Sequence, residues 1–176
     1  HRDLHSFPTR RSSDLWTLGT VSEQLGTGTY VAELAREGIA GGALPAIMFL
    51  LAAIISFATG SSWGTIIIMM PLAIPAAIAT DATMPVVIGS VLSGGLFGDH
   101  SSPVSETTIL SSTGAGIPPL QHFSTQLPYA LTNGAIAFFG FLLAGYMQIW
   151  WIIFLVVGVQ IAVLVGLRGT LTRKRQ

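Results

Sequence analysis

The stretch Gly98-Asp99-His100-Ser101-Ser102-Pro103-Val104-Ser105-Glu106-Thr107-Thr108 gathers two carboxylates, a histidine, three serines and two threonines. Oxygens at this density are ligands for a hard cation, and a carboxylate among them can hold either a metal cation or a proton. Long apolar segments with almost no charge flank the stretch. An ionisable side chain inside such surroundings costs roughly 2.5–3.5 kcal/mol on insertion scales, so its presence there marks a function.

Composition agrees with that setting. The 176 residues are 51% apolar and 9% charged, where ordinary globular domains carry about 25% charged residues. Together with 20 glycines and 9 prolines, this describes an all-α polytopic membrane protein. The absence of cysteine excludes disulfides and thiolate metal sites. Between Arg36 and Arg168 there is no lysine or arginine, and past Glu37 the acids are Asp81, Asp99 and Glu106. A region with acids and no fixed cations is suited to positive charge, such as Na+ or H+. Enzymatic readings are weaker. A zinc site from Asp99, His100, Glu106 and His122 lacks the ligand spacing of a hydrolase, and Gly26 to Gly28 lacks the Lys-Ser/Thr of a phosphate loop. No cofactor is called for.

The element that must position these groups is a broken helix. Pro103 has no N–H, its ring opposes the carbonyl of residue 99, and it drives Ser102 out of α geometry. A break over Asp99 to Ser102 follows, with Gly98 and Pro103 as the residues that make it. Ser102 would cap a second half-helix that starts at Pro103 and ends at Gly116. The first half-helix then ends in carbonyls of partial negative charge, which attract a cation. Asp99 leads the candidate ligands, followed by Glu106, with Ser102, Ser105, Thr107 and Thr108 as further oxygens. His100 is placed behind them, as a helix-end residue supporting the ligands.

A second polar point lies upstream. The apolar arms Leu44–Thr59 and Ile66–Ala79 flank Gly60-Ser61-Ser62-Trp63-Gly64-Thr65. Each arm spans roughly 22–24 Å against a hydrocarbon core of roughly 30 Å. This suggests a re-entrant helical hairpin; the alternative is two tilted spans with an aqueous turn. In the hairpin, Gly60 and Gly64 break the helix and let backbone approach an ion, while Thr59, Ser61, Ser62 and Thr65 supply hydroxyls. Pro71 and Pro75 lie inside the second arm, tolerable where neighbours satisfy the freed carbonyls.

The remaining chain supplies supports. Residues 16–37 read as the end of one transmembrane helix plus an interfacial helix capped by Thr29. Residues 80–85 form a turn with Asp81 solvated, and residues 85–97 are a short apolar helix rich in small residues. Residues 117–126 read as an interfacial loop exposing His122. Residues 127–146 are a full span with Asn133-Gly134 facing the bundle, 147–148 a turn, and 149–167 a last span opened by Trp150-Trp151. Arg168, Arg173, Lys174 and Arg175 place the C-terminus in the cytoplasm by the positive-inside rule. Residues 1–15 (HRDLHSFPTRRSSDL) have no helical period and resemble a translated sequencing adapter, so they are set aside as a non-native leader. The native protein would then be longer, with residues 16–176 its C-terminal part.

GGLFGDHSSPVSETTILSSTGAG, together with FATGSSWGTIIIMMPLAIP and QLPYAL, resembles the Na+/H+ antiporter family of the NhaC type, in the ion-transporter superfamily. Members more often carry aspartate where this chain has Glu106. The resemblance implies an inverted-repeat, elevator-like fold with two hairpins and two broken helices, of which this chain holds one each. It also implies a secondary transporter of the cytoplasmic membrane that exchanges Na+ for H+ at buried carboxylates. Exchange of dicarboxylates such as malate for lactate is the alternative that relatives offer. The partners on this reading are Na+, H+, the bilayer, the N-terminal half of the same protein and, as an option, a second copy in a homodimer; nucleic acid is not among them.

Overall fold

The computed structural model describes residues 17, 19–21, 23–149 and 151–173. Residues 1–15, Trp150 and the basic residues Lys174 and Arg175 lie outside the described residues. Among those described there is helix and no strand. The helices are α1 Thr27–Gly38, α2 Leu44–Thr59, α3 Ser62–Ala79, α4 Met84–Ser101, α5 Glu106–Ala115, α6 Pro119–Met147 and α7 Ile152–Arg173.

Two apolar arms and a tight reversal form as the composition dictates. Gly60 takes the left-handed conformation (φ 66°), and its N–H bonds the Ser56 carbonyl, which closes α2. Ser61 follows as N-cap of α3, accepting the Gly64 N–H at 3.3 Å. The reversal is therefore Gly60-Ser61 alone. Ser62 to Thr65, expected in the tip, form the first turn of α3, and Gly64 is a helical residue there and not a break. The 16 and 18 residues of α2 and α3 correspond to about 24 and 27 Å. Helix α3 runs unbroken through Pro71 and Pro75. Pro75 cannot donate to the Pro71 carbonyl, and it is at this oxygen that α1 approaches through Gly28. Helix α1 starts at Thr27 behind a left-handed Gly26, so Thr29 lies inside it and is not its cap.

Helix α2 packs along α4 more extensively than along its hairpin partner α3. The contact runs through Gly94 and Gly98, one turn apart on one face. A Cβ on Gly94 would fall on the Phe49 carbonyl oxygen and 3.0 Å from the Ala52 Cβ; one on Gly98 would fall on the Ala53 carbonyl oxygen and 2.7 Å from the Ser56 Cβ. Such small-residue seams let helix backbones meet where lipid removes the hydrophobic drive for association. A buried hydrogen bond from Ser56 Oγ to the Gly95 carbonyl, 2.6 Å, pins the register. Gly98, expected at the break, is thus a packing position within α4. Around this seam Leu44, Met48, Ala52, Met69, Ala73, Ala76, Val87 and Val91 form the core. Phe49 stacks against Phe97 (5.8 Å) and Phe141 (5.4 Å) to bring in α6. Gly134 faces inward against the Phe97 ring, as expected.

The expected loop at 117–126 is helical from Pro119 onward, and only Gly116 to Pro118 link α5 to α6. Pro119 occupies the first position of α6, where proline fits. Ser124 and Thr125 donate to the Leu120 and Gln121 carbonyls at 2.6 and 3.1 Å, so polar residues that suggested a loop are satisfied within the helix. The 29 residues of α6 correspond to about 43 Å. Helices α3 and α6 are long and apolar enough to cross a membrane. Much of α6 and α7 is outward-facing hydrocarbon, including Leu131, Phe139, Phe154 and Ile161, each more than half exposed. Continuous apolar surface of this kind is covered by lipid or protein, not by water.

Candidate functional site

The break between α4 and α5 falls at Ser102 to Ser105, later than the expected Asp99 to Ser102. Proline disfavours α geometry in the one residue before it, and Ser102 is extended (ψ 135°), while Asp99, His100 and Ser101 complete the last turn of α4. Pro103 and Val104 make the turn. Ser105, not Ser102, caps α5, its Oγ accepting the Thr107 N–H at 3.1 Å. The Ser102 Oγ accepts the Val104 N–H at 3.3 Å, and its carbonyl accepts from Thr108 Oγ1 at 2.8 Å, which ties the two half-helices.

Asp99 is 6% exposed, and Ser101, Ser102, Ser105, Thr108 and Ser112 are also buried. Ser105 Oγ donates to Asp99 Oδ1 at 2.6 Å and lies 2.7 Å from Thr107 Oγ1. Asp99 sits at the negative end of α4, where a carboxylate is unfavourable unless a cation or proton joins it. Ser105 bonds the carboxylate directly and Thr107 through Ser105, while Ser102 and Thr108 bond each other across the break. Glu106 stands exposed in the first turn of α5, a position that suits an acid at a positive helix end. Of the two candidate carboxylates, one is buried and one is at the surface.

The hairpin tip reaches this break. A Cβ on Gly60 would lie 3.0 Å from the Val104 carbonyl carbon and oxygen and 3.1 Å from the Ser105 Cα. The tip hydroxyls serve their own helix ends: Thr65 donates to the Ser61 carbonyl at 2.9 Å and Thr59 to the Ile55 carbonyl at 2.9 Å. A donating hydroxyl keeps lone pairs for an ion. Thr65 and Ser62 are buried, Ser61 is half-buried and Thr59 is exposed. Alanine at position 60 would combine a left-handed backbone with this contact. Gly60→Ala is therefore expected to destabilise the hairpin by about 1–2 kcal/mol from the conformation alone, read as a lowered unfolding midpoint of the purified protein in detergent.

Against the outer side of α5 lies a cleft of about 240 Å³ lined by His100, Thr107, Thr108, Ser111, His122 and Gln126. Gln126 Nε2 donates to the His100 carbonyl at 3.0 Å, fastening α6 to the end of α4. Ser111 and Gln126 did not stand out in the sequence. The signal was helical spacing: His122 and Gln126, like Thr107 and Ser111, are four residues apart and share a face. His122, expected in an exposed loop, is a helical residue on the cleft wall. Ser56 and Ser112, both fully buried, were likewise legible only once their helices were placed. Asp81 lies exposed in its turn with φ 53°, as expected for a solvated acid.

A sequence profile described as the Na+/H+ antiporter family matches residues 15–146. An uncharacterized protein of Haemophilus influenzae is 42% identical over 134 residues, covering 74% of this chain and 25% of that protein. The malate-2H(+)/Na(+)-lactate antiporter of Bacillus subtilis is 32% identical over 133 residues, covering 66% of this chain and 28% of that protein. A protein of Haemophilus influenzae named as an uncharacterized Na(+)/H(+) antiporter is 34% identical over 90 residues, or 49% of this chain and 19% of its own length. No solved structure matches. The chain spans about a quarter of the length of the curated relatives it matches.

Proposed function

The chain belongs to the Na+/H+ antiporter family, and from that premise we propose that it forms the cation-binding part of a secondary transporter exchanging Na+ for H+ across the cytoplasmic membrane. One observation carries the reading. A buried carboxylate, Asp99, sits in the last turn of α4 beside a helix break, and the glycine tip of a two-helix hairpin abuts that break. Discontinuous helices that meet at depth are the construction by which transporters present oxygens to ions. Asp99 holds Na+ or a proton in turn, with Ser102, Thr108, Ser61 of the tip and Ser62 and Thr65 of the first turn of α3 as supporting oxygens.

On this reading α2 and α3 are a re-entrant hairpin, which is supported by the 16 residues of α2, about 24 Å against a core of roughly 30 Å, and by the contact of Gly60 with the break. Residues 16–176 are then part of a longer polypeptide of the NhaC type, whose other half supplies the opposing hairpin, with the C-terminus in the cytoplasm. The relative named as a malate-2H(+)/Na(+)-lactate antiporter favours a second reading, in which the same cation site drives exchange of small carboxylates. Reconstitution of the whole transporter in proteoliposomes separates them. Sodium-driven proton movement with no added organic acid is the expected result. Proton movement that requires malate on one side and lactate on the other would replace the first reading by the second.

A further inference from the structure

A chain of hydroxyls joins the histidine-lined cleft to the buried carboxylate. Thr107 lines the cleft. Its Oγ1 is 2.7 Å from Ser105 Oγ, which is 2.6 Å from Asp99 Oδ1. A serine hydroxyl has one proton to give and two lone pairs. Ser105 spends its proton on Asp99 and one lone pair on the Thr107 N–H at 3.1 Å. With Asp99 ionised, the Thr107 hydroxyl must therefore donate to Ser105, and the three groups point one way, Thr107 to Ser105 to Asp99. Ser105 is fully buried and Thr107 half-buried, so the chain runs from an accessible end to a sealed one.

We propose that Thr107 and Ser105 are a proton relay between water in the cleft of His100 and His122 and the carboxylate of Asp99. A hydronium in the cleft gives a proton to Thr107 Oγ1 and becomes water. The proton already on Thr107 passes to Ser105, and that of Ser105 passes to Asp99 Oδ1. Each hydroxyl ends with one proton and the carboxylate becomes a neutral acid. The return path is the same sequence reversed, when a cation arriving at Asp99 expels the proton. This assigns Thr107 to proton traffic and not to cation ligation.

The proposal rests on the Na+/H+ exchange reading, and two measurements on the whole transporter keep them apart. In proteoliposomes, Thr107→Val retains shape and loses the hydroxyl. Its ratio of Na+/H+ exchange to Na+/Na+ exchange is expected to fall about tenfold or more, because a positioned proton-transfer group contributes at least that much. Thr107→Ser is expected to restore the ratio. A wild-type ratio in Thr107→Val overturns the relay, as does an equal loss in both modes. The second measurement does not depend on transport. The infrared C=O stretch of protonated Asp99, identified by its loss in Asp99→Asn, shifts as deuterium enters from D2O. That exchange is expected to slow in Thr107→Val and recover in Thr107→Ser; unchanged exchange kinetics overturn the relay. A wild type without sodium-driven proton movement sinks the exchange reading instead, and the infrared kinetics then decide the relay by themselves.

Discussion

Asp99→Asn is expected to reduce sodium-driven proton movement in proteoliposomes to the level of protein-free vesicles. The substitution keeps size and shape, and Ser105 can still donate to the amide oxygen as it does to Asp99 Oδ1. What is lost is the negative charge and the exchangeable proton. Asp99 is 6% exposed, so little solvent is at hand to compensate a bound cation. Removing one partner of a buried charge pair costs about 3–5 kcal/mol, which is roughly 10²–10⁴ in sodium affinity. Isothermal titration of sodium into the purified transporter checks the binding loss, and the vesicle assay checks the coupling. Asp99→Asn protein that still moves protons down a sodium gradient would remove Asp99 from the mechanism. Glu106→Gln, at an exposed helix start, is expected to have a far smaller effect in both assays.

The second large effect is structural. Gly98→Ala would place a methyl group on the Ala53 carbonyl oxygen and 2.7 Å from the Ser56 Cβ. Alanine in a helix interior is favoured over glycine by up to about 1 kcal/mol, so the sign depends on which term is larger. One obstacle is a backbone oxygen and the other a Cβ fixed to the backbone, and α2 cannot withdraw them without also losing the Ser56–Gly95 bond. Overpacking of this kind costs about 1–3 kcal/mol, with rigid surroundings at the upper end, and the loss of a buried hydrogen bond adds about 1 kcal/mol. A net destabilisation of about 2 kcal/mol is expected, measured as a lowered unfolding midpoint in detergent. Gly89→Ala is the matched control, in the same helix with nothing within 4 Å of the added carbon, and is expected to stabilise by up to about 1 kcal/mol. Equal shifts in the two variants would show that the seam is not tightly packed.

How far the sequence alone reached depends on the kind of signal. The arms at Leu44–Thr59 and toward Ala79 were legible because apolar runs end where Gly60 and Thr80 interrupt them. The existence of a break was legible because proline disfavours α geometry in the residue before it and Pro103 stands in a run of polar residues, whereas Pro71 and Pro75 stand in an apolar run that stays helical. Its position shifted by three residues because the proline ring opposes the residue 99 carbonyl only if Pro103 itself is helical, and it is in a turn. Capping was less readable: Ser102 and Ser105 both have cap chemistry, and it is Ser105 whose hydroxyl accepts the Thr107 N–H, while Thr29 lies inside α1. The stretch at 119–126 looked like a loop from polarity alone, yet serine and threonine hydroxyls can bond back to their own helix. Gly98 looked like a breaker and proved to be a contact, since a glycine's effect depends on what stands opposite it. That information lies in α2, forty-five residues away in sequence at Ala53.

The seam between α2 and α4 also has a mechanical consequence. The hairpin tip and the Asp99 carboxylate belong to elements interlocked at Gly94, Gly98 and Ser56, with no room for one to slide on the other. A tip that swung aside like a gate would have to tear that seam open. If the cation is to meet water first on one side and then on the other, the cheaper stroke moves tip, break and cargo as one block. The surface on which such a block rides must then lie elsewhere, and the bare hydrocarbon faces of α6 and α7 have the character of a greased bearing.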